Sequence, residues 1–294
     1  MRHVPVLLKE VLEVIAPKDR GRYFDGTVGA GSHARAILEK SSPGGLLAGT
    51  DLDDGAIKEA RKTLSSYKGR FFLFNSCYTE IVSICQSLGW EELDGILVDL
   101  GLSSMLLEDG PRGFSFRTEG PLDMRYSSKE ALSAYEVVNK YPRERLVSIL
   151  RDYGEERFAN RIAGAIVSRR PLNTTKQLAE IVSMAIPRRY WPKRIHPATR
   201  TFQAIRIEVN KELDRLKDFL DIAPGLLSHN GVIAVISFHS LEDRIVKQSF
   251  KDRNHPSGVT LKPVSNKPIR PSEKELSQNP RARSARLRAA RRTN

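Results

Sequence analysis

A glycine-rich stretch near the N-terminus has the residue types and spacing of a nucleotide-cofactor loop. Residues 25–34 read Asp-Gly-Thr-Val-Gly-Ala-Gly-Ser-His-Ala, and Gly29, Gly31 and Ala34 fit the pattern G-x-G-x-x-A. Small residues at these positions let the backbone approach a ligand and turn tightly into a helix. Asp51 follows Gly31 by 20 residues, at a place where a carboxylate accepts hydrogen bonds from ribose hydroxyls. The pattern predicts a cofactor that contains adenosine.

An acidic residue ahead of the glycines bears on which cofactor this is. The motif is also typical of NAD-binding loops, and a glycine turn without any ligand is a further interpretation. Asp25 suits a ligand that carries a cationic ammonium group, such as S-adenosylmethionine, whereas its carboxylate would repel a dinucleotide pyrophosphate. His33, in the first turn of the following helix, is expected either to donate to the ligand's carboxylate or to cap its own turn.

A second polar segment, residues 99–104, follows the fourth predicted strand. In doubly wound sheets ligands bind at the carboxyl ends of the strands, and Asp99 stands at that end. Methyl transfer from a sulfonium requires an aligned nucleophile and an acceptor for a proton. Asp99, or a nearby backbone carbonyl, is expected to accept the proton of an exocyclic base amine; alternatively, Asp99 only contacts the adenine of the cofactor.

Three further segments combine charged, aromatic and amide side chains beside predicted loops. The candidate substrate contacts are Asp123 and Arg125 in residues 120–125, Arg200 in residues 196–203, and Phe238 and His239 in residues 236–244. Phe238 and His239 directly follow an apolar strand, so both are placed to reach the site and stack on a base. The alternative for Phe238 is packing in the core.

The elements that position these residues alternate along the first hundred residues. Strands are predicted at residues 22–25, 45–50, 71–74 and 95–100, and helices at residues 6–15, 34–40, from 55 onward and 79–88. Strands that alternate with helices predict a parallel α/β sheet with right-handed crossovers. Residues 231–238 form another fully apolar strand, which resumes the sheet.

A helical segment interrupts this alternation. Residues 128–195 carry only helical patterns, predicted at residues 131–140, 142–153, 155–168 and 175–186. One long amphipathic helix is expected next, with one apolar stripe formed by Val209, Leu213, Leu216 and Leu220. The predicted domains are a sheet domain of residues 1–108 and 213–294 and an inserted helical domain of residues 109–212. The tail beyond residue 251 is expected to be extended, with short strands and otherwise mobile.

The net charge of +13 is concentrated in two segments. Residues 141–200 carry 13 Lys/Arg against 5 Asp/Glu, and residues 262–294 carry 10 against 2. Such clustering is expected for a protein with a polyanionic partner, although charge alone does not choose between DNA and RNA. The alternatives are a solubilising surface or, for the tail, a segment that lies on a membrane surface.

Several classes of protein are disfavoured. No apolar run reaches the roughly 18 residues of a membrane-spanning helix, and residues 1–17 lack the features of a secretory signal. The only cysteines, Cys77 and Cys85, fit neither a zinc site nor a disulfide framework. These observations predict a protein of a bacterial-type cytoplasm or an organelle, with no membrane segment and no metal ion.

Taken together, the motifs resemble one family. The segments that carry the resemblance are residues 27–33, 94–101, 112–116, 120–125, 196–210, 236–244 and 279–284. They resemble the MraW/RsmH family, the ribosomal RNA small-subunit methyltransferases H, and the resemblance runs from His3 to the C-terminus.

The resemblance implies a class I, Rossmann-like methyltransferase sheet that is interrupted by a helical domain for substrate recognition. It implies methylation of the exocyclic N4 amine of a cytidine in the decoding region of 16S rRNA, on free RNA or in the small subunit, by a monomer or homodimer. The implied cofactor positions are Gly31, Ser32, His33, Asp51, Tyr78 and Asp99. Leu106 stands where the family has a glutamine, and its side chain cannot make that residue's amide hydrogen bonds.

Two other functions remain as alternatives to the methyltransferase at this stage. The replacement at Leu106 is compatible with a catalytically weak protein that only binds RNA and assists ribosome assembly. The glycine loop taken alone is compatible with a nicotinamide oxidoreductase, which Asp25 and the basic tail disfavour.

Overall fold

The computed structural model describes residues 5–102 and 112–294, and these divide into two compact units. The sheet unit comprises Met1–Gly101 and Leu213–Asn294, and the helical unit comprises Leu102–Glu212. The boundary expected from the sequence at residues 108 and 109 lies outside the described residues. The helical unit is therefore inserted between two halves of the sheet unit along the chain.

The sheet unit contains a seven-stranded sheet in the order β3-β2-β1-β4-β5-β7-β6. The strands are β1 (Arg22–Asp25), β2 (Leu46–Thr50), β3 (Phe71–Phe74), β4 (Leu93–Asp99), β5 (Leu227–Ser237), β6 (Leu261–Pro263) and β7 (Arg286–Arg292). The first five are parallel, and β7 runs antiparallel to both β5 and β6. The connections leave β1 in one direction and β4 in the other, so the carboxyl ends of β1 and β4 form the switch point at which doubly wound sheets bind ligands.

Helices cover both faces of this sheet. The helices of the sheet unit are Leu8–Ile15, Ser32–Lys40, Asp54–Thr63, Ile81–Ser87, Glu212–Ile222, Ser240–Ser249 and Glu273–Gln278. Alternate residues of β5 pack on opposite faces, because successive side chains of a strand point to opposite sides: Ala234 belongs to one apolar core and Val235 to the other. Burial on both faces explains why residues 231–236 of β5 read as a continuous apolar run.

The helical unit has its own apolar core. Its helices are Ala134–Lys140, Arg143–Asp152, Ala159–Val167, Thr175–Ala185 and Thr199–Asn210. Two of the helices begin at capping boxes, in which Ser133 pairs with Glu136 and Thr174 pairs with Gln177. These boxes satisfy backbone N–H groups at the helix starts, which fixes the start of each helix more sharply than the apolar pattern does.

The prediction of one long amphipathic helix after residue 199 was wrong. The helix that begins at Thr199 ends at Asn210, because Lys211 adopts a left-handed conformation with φ of 50°. A second helix then runs from Glu212 to Ile222. Val209 lies in the core of the helical unit and Leu216 in a core of the sheet unit, so the apparent stripe joins residues of two separate cores.

The prediction of short strands in the C-terminal tail is confirmed by β6 and β7, which end the sheet. Residues 286–292 form β7, which pairs with β5 from Arg286 to Arg291 and buries Leu287 completely. Two of its arginines bind one carboxylate: Arg286 Nη1 lies 3.1 Å from Asp243 Oδ2, and Arg288 Nε lies 2.7 Å from Asp243 Oδ1. Although burial raises the pKa of Asp243, the hydrogen bonds and positive charges of Arg288 and Arg286 together outweigh burial and lower that pKa. Two arginines of the tail therefore form ion pairs within the sheet unit.

No helix in the described parts of the chain, residues 5–102 and 112–294, has the length and apolar character that crossing a membrane requires.

Candidate cofactor-binding and catalytic site

The glycine loop turns directly from β1 into the helix Ser32–Lys40. Gly29 and Gly31 adopt positive φ angles of 50° and 83°, which glycine tolerates without strain. A Cβ atom at Gly31 would also come within 3.2 Å of the Cα atom of Ala60. Gly31 is therefore required both by the backbone conformation and by the close approach of the neighbouring helix, and the loop places the first helical N–H groups at the end of β1.

Asp51 lies just beyond the end of β2 and braces the loop. Its Oδ2 accepts a hydrogen bond from the Gly29 N–H at 2.9 Å, and its Oδ1 accepts one from the Asp53 N–H at 2.9 Å. Burial raises the pKa of Asp51 to about 6, and the amides of Asp53 and Gly29 oppose that increase. Each carboxylate oxygen has a second lone pair, so Asp51 retains the capacity to accept hydrogen bonds from ribose hydroxyls.

Asp25 and His33 bring unsatisfied polar atoms to the same edge of the sheet. Asp25 is 1% exposed, and its Oδ1 accepts a hydrogen bond from the Thr27 N–H at 3.2 Å. Among the described residues, no group hydrogen-bonds to Asp25 Oδ2 or to either ring nitrogen of His33. The histidine therefore does not cap its own turn, and buried polar groups of this kind require a partner.

Asp99 ends β4 beside the loop. Its N–H donates to Thr27 Oγ1 at 2.7 Å, and its Oδ1 accepts from the Gly101 N–H at 3.2 Å. Asp99 Oδ2 lies 3.6 Å from His33 Nε2. The carboxylate thus has one oxygen held by the backbone and the other directed toward the imidazole, so the geometry fixes its orientation at the switch point.

Tyr78 lies against the start of the loop. It begins the 3₁₀ turn Tyr78–Glu80, and its ring packs edge-on against Phe219 with centroids 5.1 Å apart. A Cβ atom at Gly26 would come within 2.9 Å of Tyr78 Cβ, so glycine at that position is what allows the two segments to touch. The aromatic contact holds Tyr78 in place next to the predicted adenosine site.

Asp25 is expected to make the ligand-free protein less stable as pH rises. Burial raises its pKa to about 7 from 3.8, with His33 and the Thr27 amide opposing. Between about pH 4 and pH 7 the folded state therefore binds more protons than the unfolded state, and stability falls through that window. Asp25→Asn removes this titration, so we expect it to raise the free energy of unfolding at pH 8 by about 1–3 kcal/mol, with little change at pH 4.

Urea denaturation at the two pH values measures this effect. Asp218→Asn, which neutralises an exposed carboxylate of the same unit, is the matched control. If Asp25→Asn changed the free energy of unfolding equally at pH 4 and pH 8, the raised pKa assigned to Asp25 would be wrong.

Phe238 and His239 follow β5 and also belong to the sheet unit. Phe238 is half-buried, and its ring would be 2.8 Å from a Cβ atom at Gly101, so it packs beside the end of β4. His239 caps the helix Ser240–Ser249: its Nδ1 accepts from the Glu242 N–H at 3.4 Å, and its Nε2 lies 3.0 Å from Glu242 Oε1. Glu242 Oε2 in turn accepts from the Phe238 N–H at 2.8 Å.

The remaining candidates lie in the helical unit or outside the described residues. Asp123 and Arg125 form a two-point ion pair, with Nε–Oδ1 and Nη2–Oδ2 distances of 2.8 Å. Burial raises the pKa of Asp123, but the hydrogen bonds from Arg125 outweigh it and lower that pKa. Arg200 is exposed, and its Nη1 donates to the Glu155 carbonyl at 3.2 Å. Leu106 lies outside the described residues.

Two residues that shape the site were not singled out from the sequence. Thr27 connects the ends of β1 and β4 through its hydroxyl, and Glu242 fixes the backbone after β5. Glu242 stands three residues after His239, which is the spacing of a capping box, so a search for helix starts identifies it. Thr27 carries no comparable signal, because its partner is 72 residues away in the sequence.

A mainly parallel, doubly wound sheet with a glycine loop after β1 and carboxylates at the ends of β1, β2 and β4 defines an α/β enzyme that uses a nucleotide-type cofactor. Within that class, the model of the MraW methylase family matches residues 1–293. A ribosomal RNA small subunit methyltransferase H from Lawsonia intracellularis is 47% identical, covering 98% of this chain and 98% of the relative. A protein of the same name from Thermotoga neapolitana is 48% identical, covering 98% of this chain and 95% of the relative. The chain therefore belongs to the MraW methylase family.

Membership in this family confirms three predictions from the sequence. The resemblance to the family is correct, the fold is that of class I methyltransferases, and the cofactor is S-adenosylmethionine. Among solved structures, an rRNA methylase from Streptococcus thermophilus aligns with a TM-score of 0.42 and 10% identity, over 100% of this chain and 99% of the other. That likeness is too low to support a functional argument.

Proposed function

We propose that this enzyme transfers a methyl group to the exocyclic N4 amine of a cytidine in the decoding region of 16S rRNA. The observation that carries the proposal is the identity of 45–48% to proteins named ribosomal RNA small subunit methyltransferase H, over nearly the whole chain. The position of the cytidine and its N4 atom rest on the resemblance of the sequence motifs. We further propose that the enzyme works in the cytoplasm, where its RNA substrate is made.

The residues at the switch point fit S-adenosylmethionine. The unsatisfied Asp25 Oδ2 suits an ammonium group, and the helix start at Gly31, Ser32 and His33 suits a carboxylate. Asp51 suits the ribose hydroxyls, and the ring of Tyr78 suits the adenine. We assign the cofactor to these residues, beside which Asp99 lies at the end of β4.

Asp99 is proposed to accept the proton that the amine loses. S-adenosylmethionine supplies an electrophilic methyl group, so the protein must align the amine and accept a proton. The Gly101 amide holds Asp99 Oδ1, while Oδ2 remains beside His33 Nε2 at 3.6 Å. A hydrogen bond from the amine to this oxygen would free the nitrogen lone pair from conjugation with the ring. Thr27 keeps the end of β4 in register with the loop.

The helical unit is proposed to recognise the RNA. Residues 141–200, which carry 13 Lys/Arg against 5 Asp/Glu, belong to it. Such an excess binds phosphates and makes affinity dependent on salt. Arg200, which is exposed, is proposed as one of the contacts, whereas the ion pair between Asp123 and Arg125 supports a role in holding their own loop.

Asp51→Ala is expected to raise the Kd for S-adenosylmethionine by about 10- to 100-fold, because hydrogen bonds to a charged group contribute roughly 1.5–3 kcal/mol. Isothermal titration calorimetry measures the affinity. Asp53→Ala, which removes the neighbouring carboxylate and a helix cap, is the control and is expected to bind the cofactor normally. Unchanged affinity in Asp51→Ala would remove Asp51 from the cofactor site.

The proposed activity is tested by incubating the protein with methyl-labelled S-adenosylmethionine and small ribosomal subunits or free 16S rRNA that lack the modification. Label is expected in 16S rRNA and not in 23S rRNA. Binding of both the cofactor and the RNA without any transfer of label to either form would favour the alternative of an RNA-binding assembly protein.

A further inference from the structure

The helical unit presents an exposed cluster of aromatic rings and arginines around the 3₁₀ turn Arg188–Tyr190. We call it the Tyr190 surface, and it consists of Arg157, Phe158, Arg188, Arg189, Tyr190 and Trp191. Tyr190 is 41% exposed and Trp191 is 38% exposed. Seven large hydrophobic side chains in the described parts of the chain are exposed, and four of them fall within residues 184–195. Such clustering marks a binding surface rather than scattered surface residues.

The arginines of this surface lie against its rings. The guanidinium carbons of Arg157 and Arg189 lie 5.2 and 4.8 Å from the centroid of the Tyr190 ring, and that of Arg188 lies 6.0 Å from the Trp191 ring. Distances of this size are those of cation–π contacts. The contacts place positive charge next to each exposed ring, so a ligand that touches the ring also meets a cation.

The rings are held in place by the backbone. The Tyr190 N–H donates to the Pro187 carbonyl at 2.8 Å, and the Trp191 indole N–H donates to the Ile186 carbonyl at 2.9 Å. Tyr190 also packs against Phe158, with ring centroids 5.3 Å apart. Because the polar edge of Trp191 is already satisfied, its exposed part offers a flat apolar surface with little loss of conformational freedom on binding.

The charge of this surface selects for an anion. Residues 187–196 contain four Lys/Arg and no acidic residue. Across residues 5–102 and 112–294, no carboxylate forms an ion pair with Arg157, Arg188 or Arg189. A ligand that brings both phosphates and flat faces satisfies the arginines and the rings together. Unpaired RNA has both, whereas paired RNA keeps its bases stacked inside the duplex.

We propose that the Tyr190 surface binds an unpaired stretch of the substrate RNA, with bases stacked on Tyr190 and Trp191 and phosphates bound by Arg188 and Arg189. The inference rests on the proposed function in taking RNA as the substrate class. To the proposed function it adds a specific surface of the helical unit that contacts the RNA.

Affinity for RNA is the first test. Tyr190→Ala/Trp191→Ala is expected to weaken binding of an unpaired RNA oligonucleotide by about tenfold or more, since each stacked base contributes roughly 1–3 kcal/mol. Tyr190→Phe/Trp191→Phe keeps the rings and is expected to retain most of the affinity. Tyr135→Ala, at an exposed aromatic residue of the same unit outside the surface, is the matched control. Equal affinity of the double alanine variant and the control would overturn the proposal.

Tryptophan fluorescence tests stacking directly. The chain has two tryptophans, of which Trp90 is 6% exposed and Trp191 is 38% exposed. In Trp90→Phe, unpaired RNA is expected to quench the emission of Trp191, and the matched duplex is expected to quench it much less. No quenching by unpaired RNA, or a blue shift with anionic phospholipid vesicles in its place, would overturn the proposal.

The arginines are tested by salt dependence. Arg188→Gln/Arg189→Gln is expected to reduce the slope of log affinity against log salt by about 1.4, since each phosphate contact with a single strand contributes roughly 0.7. Arg161→Gln/Arg169→Gln removes the same charge from exposed positions of the same unit and serves as the control. The same slope in both variants would contradict the phosphate contacts.

Methyl transfer by the wild-type enzyme, measured in parallel, separates the two proposals. Transfer to 16S rRNA together with unchanged RNA affinity of the double alanine variant would refute the Tyr190 surface and leave the proposed function standing. Absence of transfer by the wild type would refute the proposed function, and the affinity and fluorescence measurements would still decide whether the surface binds RNA.

Discussion

Asp99→Ala is expected to lower kcat for methyl transfer by about 10²- to 10³-fold at saturating S-adenosylmethionine, while the Kd for the cofactor changes little. General base groups contribute roughly 10²- to 10⁴-fold to rate, and Asp99 is the carboxylate held at the end of β4 with one oxygen beside His33. Asp99→Asn is expected to lose a similar factor, because an amide keeps the shape of the side chain but does not accept a proton. Single-turnover kinetics with unmodified small subunits measures the rate.

Measuring kcat and the Kd for the cofactor separately distinguishes the two possible roles of Asp99, which are proton acceptor and adenine contact. If the carboxylate only contacts the adenine, its removal raises the Kd for the cofactor and leaves the single-turnover rate at saturation unchanged. Asp94→Asn is the matched control, since Asp94 lies on the same strand at its other end, where it binds Lys18. A rate for Asp99→Ala within about twofold of that control would contradict the proposed role.

Leu287→Ala is expected to reduce the free energy of unfolding by about 2–5 kcal/mol, which is the usual range when a fully buried leucine is truncated. Leu287 is 0% exposed and lies in the strand that pairs with β5. Urea denaturation followed by circular dichroism measures the change. Arg291→Ala, at an exposed position of the same strand, is expected to cost less than about 1 kcal/mol.

A mobile RNA-binding tail would give a different result. In that case Leu287→Ala would leave stability unchanged, and truncation after residue 268 would weaken RNA binding without unfolding the sheet. Because β7 lies between β5 and β6, we expect that truncation to destabilise the whole sheet unit. Reduced RNA binding by such a truncation is therefore not a measure of contact between the tail and RNA.

The arrangement of loops and carboxylates at the carboxyl ends of β1, β2 and β4 could be predicted because it is built from local signals. Gly29 and Gly31 are needed for their backbone conformation, and the carboxylates Asp25 and Asp99 follow recognisable apolar strands. Since parallel strands align their carboxyl ends, the order of strands and loops was enough to bring these residues together.

The features that the sequence did not predict depend on distant partners. Short strands were predicted in the basic tail, but not the contact of two arginines of the strand Arg286–Arg292 with Asp243, which lies more than 40 residues earlier. The apolar pattern does not reveal the break between two helices at Lys211, because Val209 and Leu216 keep helical spacing although they pack in different cores. In both cases the deciding contacts are tertiary, and the local pattern does not show them.

The candidate RNA contacts also depend on tertiary structure that the sequence does not show. Asp123 and Arg125 have the polar character of ligand-binding residues, yet the structure pairs them with each other. Residue type alone does not distinguish Tyr190 and Trp191 from a buried aromatic pair, whereas the structure exposes both. Burial and pairing decide whether a polar or aromatic residue is available to a ligand. Residue type and spacing do not predict either of them.

Transfer of a methyl group to N4 of a decoding-region cytidine is tested by mass spectrometry of nucleosides from 16S rRNA after reaction with the wild-type enzyme and with Asp99→Ala. Unmodified small subunits and S-adenosylmethionine are the substrates. We expect N4-methylcytidine from a fragment of the decoding region with the wild type, and little or none with the variant. A methyl group on another atom or another base would refute the proposed specificity, and equal amounts of N4-methylcytidine with both proteins would refute the role of Asp99.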